Sequence, residues 1–463
     1  MIDLLDRLLP GKVSRRAADL EAHSRDETGR SRRRPAAVVY AAHTDDVRTT
    51  LNWAAEAGHP VIAFGAGTSA EGHIVPLGDE IVLDMSGLNG VLSVRPNDFL
   101  ATVQPGLTRT ALNKAVADTG LFFPVDPGAD ASIGGMAATN ASGTTTVRYG
   151  GIRANVAALE VVLPNGDLVR LGRGVRKTSS GYDLKDLFIG SAGTLGVFTE
   201  LTVTLHPVPQ HVHAQRVFFP TVEQAVAAAY QIMAVALPVA RLELVDASSM
   251  RAINQYLGTA HPERPALFVE LHSSSAAAID AEAKEIDTIA YDNGAIQVEA
   301  AHQQAERNEI WRARHALFFA IKALYPGCQY HITDTAVPIS QVPEMVRITE
   351  ESAASLGLEI VIAGHVADGN VHTVVPVTPD NAERAYTFSD RLVEHALAVG
   401  GTATGEHGIG VAKKKYLRTE HGGAVEVMAA IKTALDPRGL LNPGKILDVT
   451  GVGDGHRARA EFR

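Results

Sequence analysis

At 463 residues the chain is too long for one hydrophobic core, so two or more domains are expected, and its 46% hydrophobic and 20% charged content is that of an ordinary globular protein. A formal net charge of -10, from 42 basic and 52 acidic residues, argues against nucleic acid as a main partner. The single cysteine, Cys328, excludes a disulfide framework and a cysteine-ligated iron–sulfur cluster within the chain, and points to a reducing compartment.

Residues 1–34 are expected to form an N-terminal helical segment. Leu4, Leu5, Leu8 and Leu9 share a helical face, but Asp3 and Asp6 interrupt it and no cleavage-site pattern follows, which argues against a signal peptide. Arg30, Arg32, Arg33 and Arg34 read as a solvated loop. No apolar run reaches the roughly eighteen residues of a membrane span. The nearest approach, Ala225 to Leu242, contains Gln231, Pro238 and Arg241 and reads as a helix running into a strand. A cytoplasmic location is expected, with at most a peripheral contact to the inner membrane.

From Pro35 short apolar strands alternate with helices. Val38 to Tyr40 reads as a strand, Thr44 as the cap of a helix through Ala57, and Val61 to Phe64 as a buried strand entering a glycine loop. Ile81 to Leu83 and Ala101 to Val103 are further strands, and Thr108 caps a helix stopped by Gly120. Between Phe123 and Gly151 the chain is rich in Gly, Ala, Ser, Thr and Asn, with Pro124, Asp126 and Tyr149 interleaved; a backbone-lined ligand channel fits this better than a flexible linker. Strands resume at Ala158 to Leu163 and Gly196 to Leu205, and Pro207 and Pro209 mark a domain boundary. A second α/β segment follows, with helices at 222–236, 276–293 and 384–399 and strands at 241–244, 267–271 and 359–362.

The loop Phe64-Gly65-Ala66-Gly67-Thr68-Ser69-Ala70-Glu71-Gly72 can turn successive backbone N–H groups toward phosphate oxygens, with Thr68 and Ser69 adding hydroxyl donors. It does not fit G-x-G-x-x-G, because the third glycine falls too late, so a nicotinamide site of that type is disfavoured. Alone, such a loop is equally a plain tight turn; the small-residue channel downstream strengthens the phosphate reading.

Together with Pro105-Gly106, Pro124 and Asp126, Gly134-Gly135, Asn140, Ser142-Gly143 and Tyr149-Gly150, this loop resembles the FAD-binding domain of the vanillyl-alcohol-oxidase-type flavoproteins. Gly181-Tyr182-Asp183-Leu184, Gly190 to Val197 and the late Asn442-Pro443-Gly444 continue the match. Within that superfamily the chain is most similar to the D-lactate dehydrogenase (cytochrome) group of D-2-hydroxyacid dehydrogenases, from about Pro35 to Leu447. The resemblance implies an α+β fold: a two-subdomain FAD-binding domain (35–209), an α/β substrate or cap domain (210–404), and a C-terminal segment (405–463) that completes the active site. It implies FAD contacts from Gly65, Ala66, Gly67, Thr68, Ser69, Gly72, Pro105, Gly106, Pro124, Asp126, Gly134, Gly135, Asn140, Ser142, Gly143, Tyr149, Gly150, Gly196, Val197 and Asn442. Three positions depart from the family: Ala192 stands where Glu is usual, Ala367 replaces a glycine, and the loop ends in Gly72-His73, with His73 beyond the usual point of covalent flavin attachment.

An apolar strand ends in His365, a turn signal follows at 366–370, and His372 opens the next strand, so a hairpin lets the two imidazoles converge. Taken alone, two histidines flanking a turn are more often structural than ligating. Glu406 supplies the carboxylate that completes a two-His-one-carboxylate set for Zn²⁺, Mn²⁺ or Fe²⁺, and the family match favours ligation. His407, beside a ligand, is then the expected general base that takes the 2-hydroxyl proton as hydride leaves C2 for the flavin, giving a 2-oxo acid. The resemblance assigns the substrate-carboxylate arginine to Arg314, leaving Arg312 on the helix surface. Where relatives acting on D-2-hydroxyglutarate hold a distal carboxylate, this chain has Phe318 and Ile332, which favours a short or apolar-tailed acid such as D-lactate. Lacking haem and cluster motifs, the chain needs an external electron acceptor: a cytochrome, a quinone, an electron-transferring flavoprotein or oxygen. A homodimer is compatible with the sequence. The rival readings are the FAD subunit of a glycolate oxidase, a D-2-hydroxyglutarate dehydrogenase, and a non-catalytic flavin-binding protein.

Overall fold

Short runs such as Val61–Phe64 and Ile81–Asp84 are apolar at nearly every position, the pattern of strands covered on both faces. In the computed structural model, which describes residues 2–301 and 303–448, these two strands and Ala37–Tyr40 form a small parallel sheet, extended by an antiparallel pairing of Val13 with Val39. The helix Thr44–Ala57 packs on it. Its cap is His43 rather than Thr44, because the Asp46 carboxylate reaches back to the N–H of His43 in a reciprocal box. The N-terminal segment holds helices Ile2–Leu8 and Ala17–Ala22; Leu5 and Leu9 are buried, whereas Leu4 and Leu8 face solvent.

A five-stranded antiparallel sheet follows, in the spatial order Val91–Arg95, Leu100–Val103, Val197–Thr204, Val156–Val162, Leu168–Gly172. Thr108 caps the next helix through its hydroxyl, as expected, and Gly120 closes the following 3₁₀ turn in the left-handed region (φ 71). The small-residue segment is not a bare channel: it contains the helices Ile133–Thr139 and Thr146–Tyr149.

The third sheet has seven antiparallel strands, ordered Gln297–Ala301, His211–Phe218, Ala266–Ser273, Val239–Val245, Val361–His365, Asn370–Val377, Gln329–Ala336. Side chains alternate between its faces with period two. Leu242, Leu244, Leu267, Val269, Leu271, Ile362, Val371 and Val375 fill one face and pack beneath the helices Val222–Ala234, Ala276–Asp292, Val342–Leu356 and Ala382–Ala398. The opposite face carries Arg241, Glu243, Glu270, Asp334, His365 and His372. The register sets Ala363 against His372, and His372 against Asp334, across three neighbouring strands. One side of this sheet is thus a core; on the other, Phe218, Val245, Phe268 and Val361 pack under the helices Ala247–Leu257, Gln304–His315 and Leu317–Leu324, beside the charged residues.

Candidate active site

A cavity of about 460 Å³ lies between the two halves. Gly65 to Ser69, Ser132, Gly135, Ser142, Ala192 and Gly193 form one wall; Arg314, Phe318, Ile332, His365, His372, Glu406 and His407 form the other.

The glycine loop leaves the strand Val61–Phe64 with Gly67 at φ 78, a conformation L side chains rarely adopt. Among the described residues, nothing accepts from the backbone N–H groups of Ala66, Gly67, Thr68 or Ser69. The Ser69 hydroxyl and the side-chain amide oxygen of Asn442 are also buried and unpartnered. Buried polar groups without partners are rare, so this wall fits a phosphate-bearing ligand such as FAD. The loop is anchored from behind. The buried Asp26 carboxylate accepts from the Gly72 N–H at 2.9 Å, and Arg30 donates to the Ala70 carbonyl at 2.6 Å, so Arg30 is a loop anchor rather than a solvated side chain.

On the opposite wall the hairpin brings the imidazole centroids of His365 and His372 to 5.2 Å. His365 Nδ1 donates to Glu243 Oε1 at 2.6 Å and His372 Nδ1 faces the Thr333 carbonyl at 3.3 Å, so each ring has Nε2 free. Those two Nε2 atoms stand 3.4 and 3.3 Å from Glu406 Oε1, and Glu406 Oε2 is buried with no partner. Three convergent donors and an unsatisfied carboxylate oxygen suit one divalent cation. Asp334, His372 and His407 also lie within reach of one another. The Asp334 carboxylate, however, is already taken up by the N–H groups of Glu406 (3.1 Å) and His407 (2.8 Å), the Thr404 hydroxyl (2.7 Å) and the Asn370 amide (2.9 Å). Asp334 therefore shapes the 404–408 loop, and the His365–His372–Glu406 set fits the cation better.

His407 stacks on His372 at 5.3 Å, with Nε2 4.0 Å from Glu406 and Nδ1 3.5 Å from Glu71 and 3.8 Å from Asp334. Burial alone would lower its pKa, but the surrounding carboxylates, Asp334 foremost, raise it to about 9 in the metal-free chain. Glu71, pushed up by burial, is brought down to about 2 by Lys413 and His407. Burial lowers His73, on the cavity wall, to about 4.

Arg314, on the helix Gln304–His315, donates through Nη2 to Glu243 Oε2 at 2.7 Å, and its Nε has no acceptor. Arg312 pairs with Glu309 on the exposed surface, as the sequence suggests. Phe318 and Ile332 line an apolar end of the cavity with Leu317, Ile321 and Val374.

Of the other cofactor residues expected from the sequence, Gly72, Pro105, Gly106, Pro124, Gly134, Asn140, Gly143, Tyr149, Gly150, Gly196 and Val197 do not line this cavity. Several serve close packing within the half that carries the glycine loop. A Cβ on Gly106 would come 2.3 Å from the Met85 carbonyl oxygen, one on Gly143 2.3 Å from that of Asp126, and one on Gly134 2.4 Å from Pro105 Cβ. Asp126 borders the cavity, but its carboxylate accepts from Thr144, Thr145 and Arg241. The Tyr149 hydroxyl meets His272 at 2.7 Å, bridging the second and third sheets' halves of the molecule. Ala192 adopts φ 52, and its carbonyl accepts from Asn442 at 2.7 Å.

Sequence reasoning missed Glu243, Asp334, Glu71 and Lys413. A signal for the first existed: in Val-Ala-Arg-Leu-Glu-Leu-Val, Arg241 and Glu243 recur with period two inside an otherwise apolar strand, the mark of a buried face with polar work to do.

Residues 35–172 match an FAD binding domain, and residues 208–446 the C-terminal domain of FAD linked oxidases. A probable mitochondrial D-lactate dehydrogenase of Danio rerio is 41% identical over 445 residues, covering 95% of this chain and 89% of its own. A mitochondrial D-lactate dehydrogenase (cytochrome) of Arabidopsis thaliana is 37% identical, over 89% of this chain and 73% of its own. The structure of the 4-ethylphenol oxidase from Gulosibacter chungangensis shares the fold, with a TM-score of 0.79 over 96% of both chains at 18% identity.

Proposed function

The chain belongs to the FAD-linked oxidases, in the group of the cytochrome-type D-lactate dehydrogenases, and from that premise we propose that it is an FAD- and metal-dependent enzyme that oxidises D-lactate to pyruvate. The observation that carries the reading is the convergence of His365, His372, Glu406 and His407 on a cavity whose other wall is a phosphate-binding glycine loop.

FAD, seated along Gly65 to Ser69, Ser142 and Asn442, would supply the acceptor for the hydride from substrate C2. A divalent cation held by His365, His372 and Glu406 would lower the pKa of the 2-hydroxyl, as such ions do for water. Arg314 offers a guanidinium to the substrate carboxylate. Phe318, Ile332 and Val374 accept a methyl group, and would leave a second carboxylate desolvated and unpaired. His407 takes the hydroxyl proton at Nε2, and Glu71 and Asp334 behind Nδ1 stabilise the imidazolium that results. Glu406, within 4.0 Å of Nε2, also favours the protonated ring; cation binding would offset that charge and bring the ring toward the neutral form a base needs.

Electrons then leave to an external acceptor, a cytochrome or a quinone. No helix among the described residues is long and apolar enough to cross a membrane. The test is to add D-lactate, L-lactate, glycolate and D-2-hydroxyglutarate anaerobically to purified protein. D-lactate should bleach the flavin fastest, and a preference for glycolate or D-2-hydroxyglutarate would reassign the substrate.

A further inference from the structure

One buried carboxylate touches both parts of the machinery that would grip the substrate. Glu243 is 1% exposed, its Oε1 lies 2.6 Å from His365 Nδ1, and its Oε2 lies 2.7 Å from Arg314 Nη2. We propose that Glu243 is a positioning residue that fixes the carboxylate-binding arginine and the metal-ligating histidine at one separation, so that a 2-hydroxy acid is held at its carboxylate and its hydroxyl together. The proposal rests on the functional reading above.

A carboxylate this deeply buried must have both oxygens satisfied, or burial costs it its charge. Among the described residues, both partners of Glu243 are side chains that line the cavity, and no backbone N–H of the scaffold donates to it. An ion pair serving the fold alone would be expected to lean on the scaffold. Accepting from Nδ1 fixes the tautomer and rotation of His365, which directs Nε2 at Glu406. Accepting from Nη2 stops the Arg314 fork from swinging while leaving its Nε uncommitted. The two partners come from distant parts of the chain, 71 and 122 residues from Glu243, and the strand Val239–Val245 pairs directly with Val361–His365. The histidine is thereby set one strand spacing from the carboxylate that holds the arginine. In a 2-hydroxy acid the carboxylate and the hydroxyl sit on adjacent carbons, so a site that reads both needs that fixed spacing.

Glu243→Gln separates the two contacts. Its amide oxygen can still accept from His365, but its NH₂ meets the arginine donor to donor. Glu243→Leu removes both contacts. FAD content and melting temperature report folding, Mn²⁺ titration of chelator-stripped flavoprotein reports the histidine arm, and KM against kcat for D-lactate reports the arginine arm. In Glu243→Gln, KM should rise about tenfold or more, with a smaller fall in kcat and Mn²⁺ affinity close to wild type. In Glu243→Leu, Mn²⁺ affinity should also fall, by about 10- to 100-fold. Wild-type KM in a Gln variant that keeps its FAD overturns the proposal. Should neither variant retain FAD, the wild-type chain decides. Labelled with ¹⁵N-histidine and loaded with ¹¹³Cd, it should show His365 coordinated through Nε2 with Nδ1 protonated, and coordination through Nδ1 contradicts the assignment. A wild type that binds Mn²⁺ but oxidises no D-lactate sinks the functional reading alone, and leaves the Mn²⁺ titrations to judge Glu243.

Discussion

The two walls of the cavity are built by opposite means. The glycine-loop wall is backbone and small side chains, shaped by glycines that allow close approach and by unpartnered N–H groups. The facing wall is a sheet face of buried charges, where His365 is hydrogen-bonded to Glu243 and His407 stands 3.5 and 3.8 Å from Glu71 and Asp334. A ligand that must be held in many orientations of phosphate and ring needs shape; a reaction that moves a proton and a hydride needs charge at fixed points. Substitutions on the first wall should therefore act through stability and cofactor retention, and those on the second through rate.

The hardest break lies on the charged wall. His365→Ala and His372→Ala should each lose the metal and turnover while FAD stays bound; full activity in either variant, measured alongside metal content, would remove that histidine from the site. Next comes His407→Asn, which should keep FAD and metal but slow anaerobic flavin reduction about 100-fold or more, the scale of a lost general base. Wild-type reduction should quicken with rising pH as His407 loses its proton, and the variant should lack that limb. The same group bears on stability. In the metal-free chain its pKa is about 9 against 6.5 for the free side chain, so its contribution is fully present below about pH 6.5 and lost as pH climbs toward 9. Unfolding of chelated wild type and His407→Asn across that range checks the sign.

Behind the glycine-loop wall, Gly134→Ala would put a Cβ 2.4 Å from Pro105 Cβ. It should cost about 1–3 kcal/mol of stability and weaken FAD retention, yet leave the reduction rate of FAD-loaded protein near wild type. A slowed rate at unchanged stability would blur the division between the walls. The smallest effect is expected at the apolar end. Ile332→Lys should improve D-2-hydroxyglutarate relative to D-lactate about fivefold, the worth of a modest ion pair; competition kinetics with both acids measures it.

The same contrast explains what could be read in advance. The glycine loop, the Thr108 cap and the histidine hairpin are local patterns, and each formed where its residues stand in line. The parallel and antiparallel sheets were partly legible as apolar runs, but the strands His211–Phe218 and Gln329–Ala336 were missed because polar residues break their hydrophobic signal. In Gln329–Ala336 the polar Asp334 lies on the face that borders the site, whereas Gln215 of His211–Phe218 lies on the opposite face and donates to Asp287 of the helix Ala276–Asp292. Glu243 and Asp334 went unassigned because most of their partners lie about 70 to 120 residues away, on another strand, a helix and a loop that only the tertiary fold brings together. At Gly106 and Gly143 the sequence could not show that a Cβ would also strike a neighbouring carbonyl, since close packing on backbone and close approach to a phosphate ask for the same missing side chain.

On the proposed function, the charged wall would act on the cofactor of the other wall only with a divalent cation bound to His365, His372 and Glu406. The most direct measurement is anaerobic flavin bleaching by D-lactate before chelation, after chelation and after Mn²⁺ or Zn²⁺ is restored, with bound FAD followed throughout. Bleaching should vanish with the metal, return with it, and leave the FAD content constant. Undiminished bleaching in protein shown to be metal-free would contradict the account.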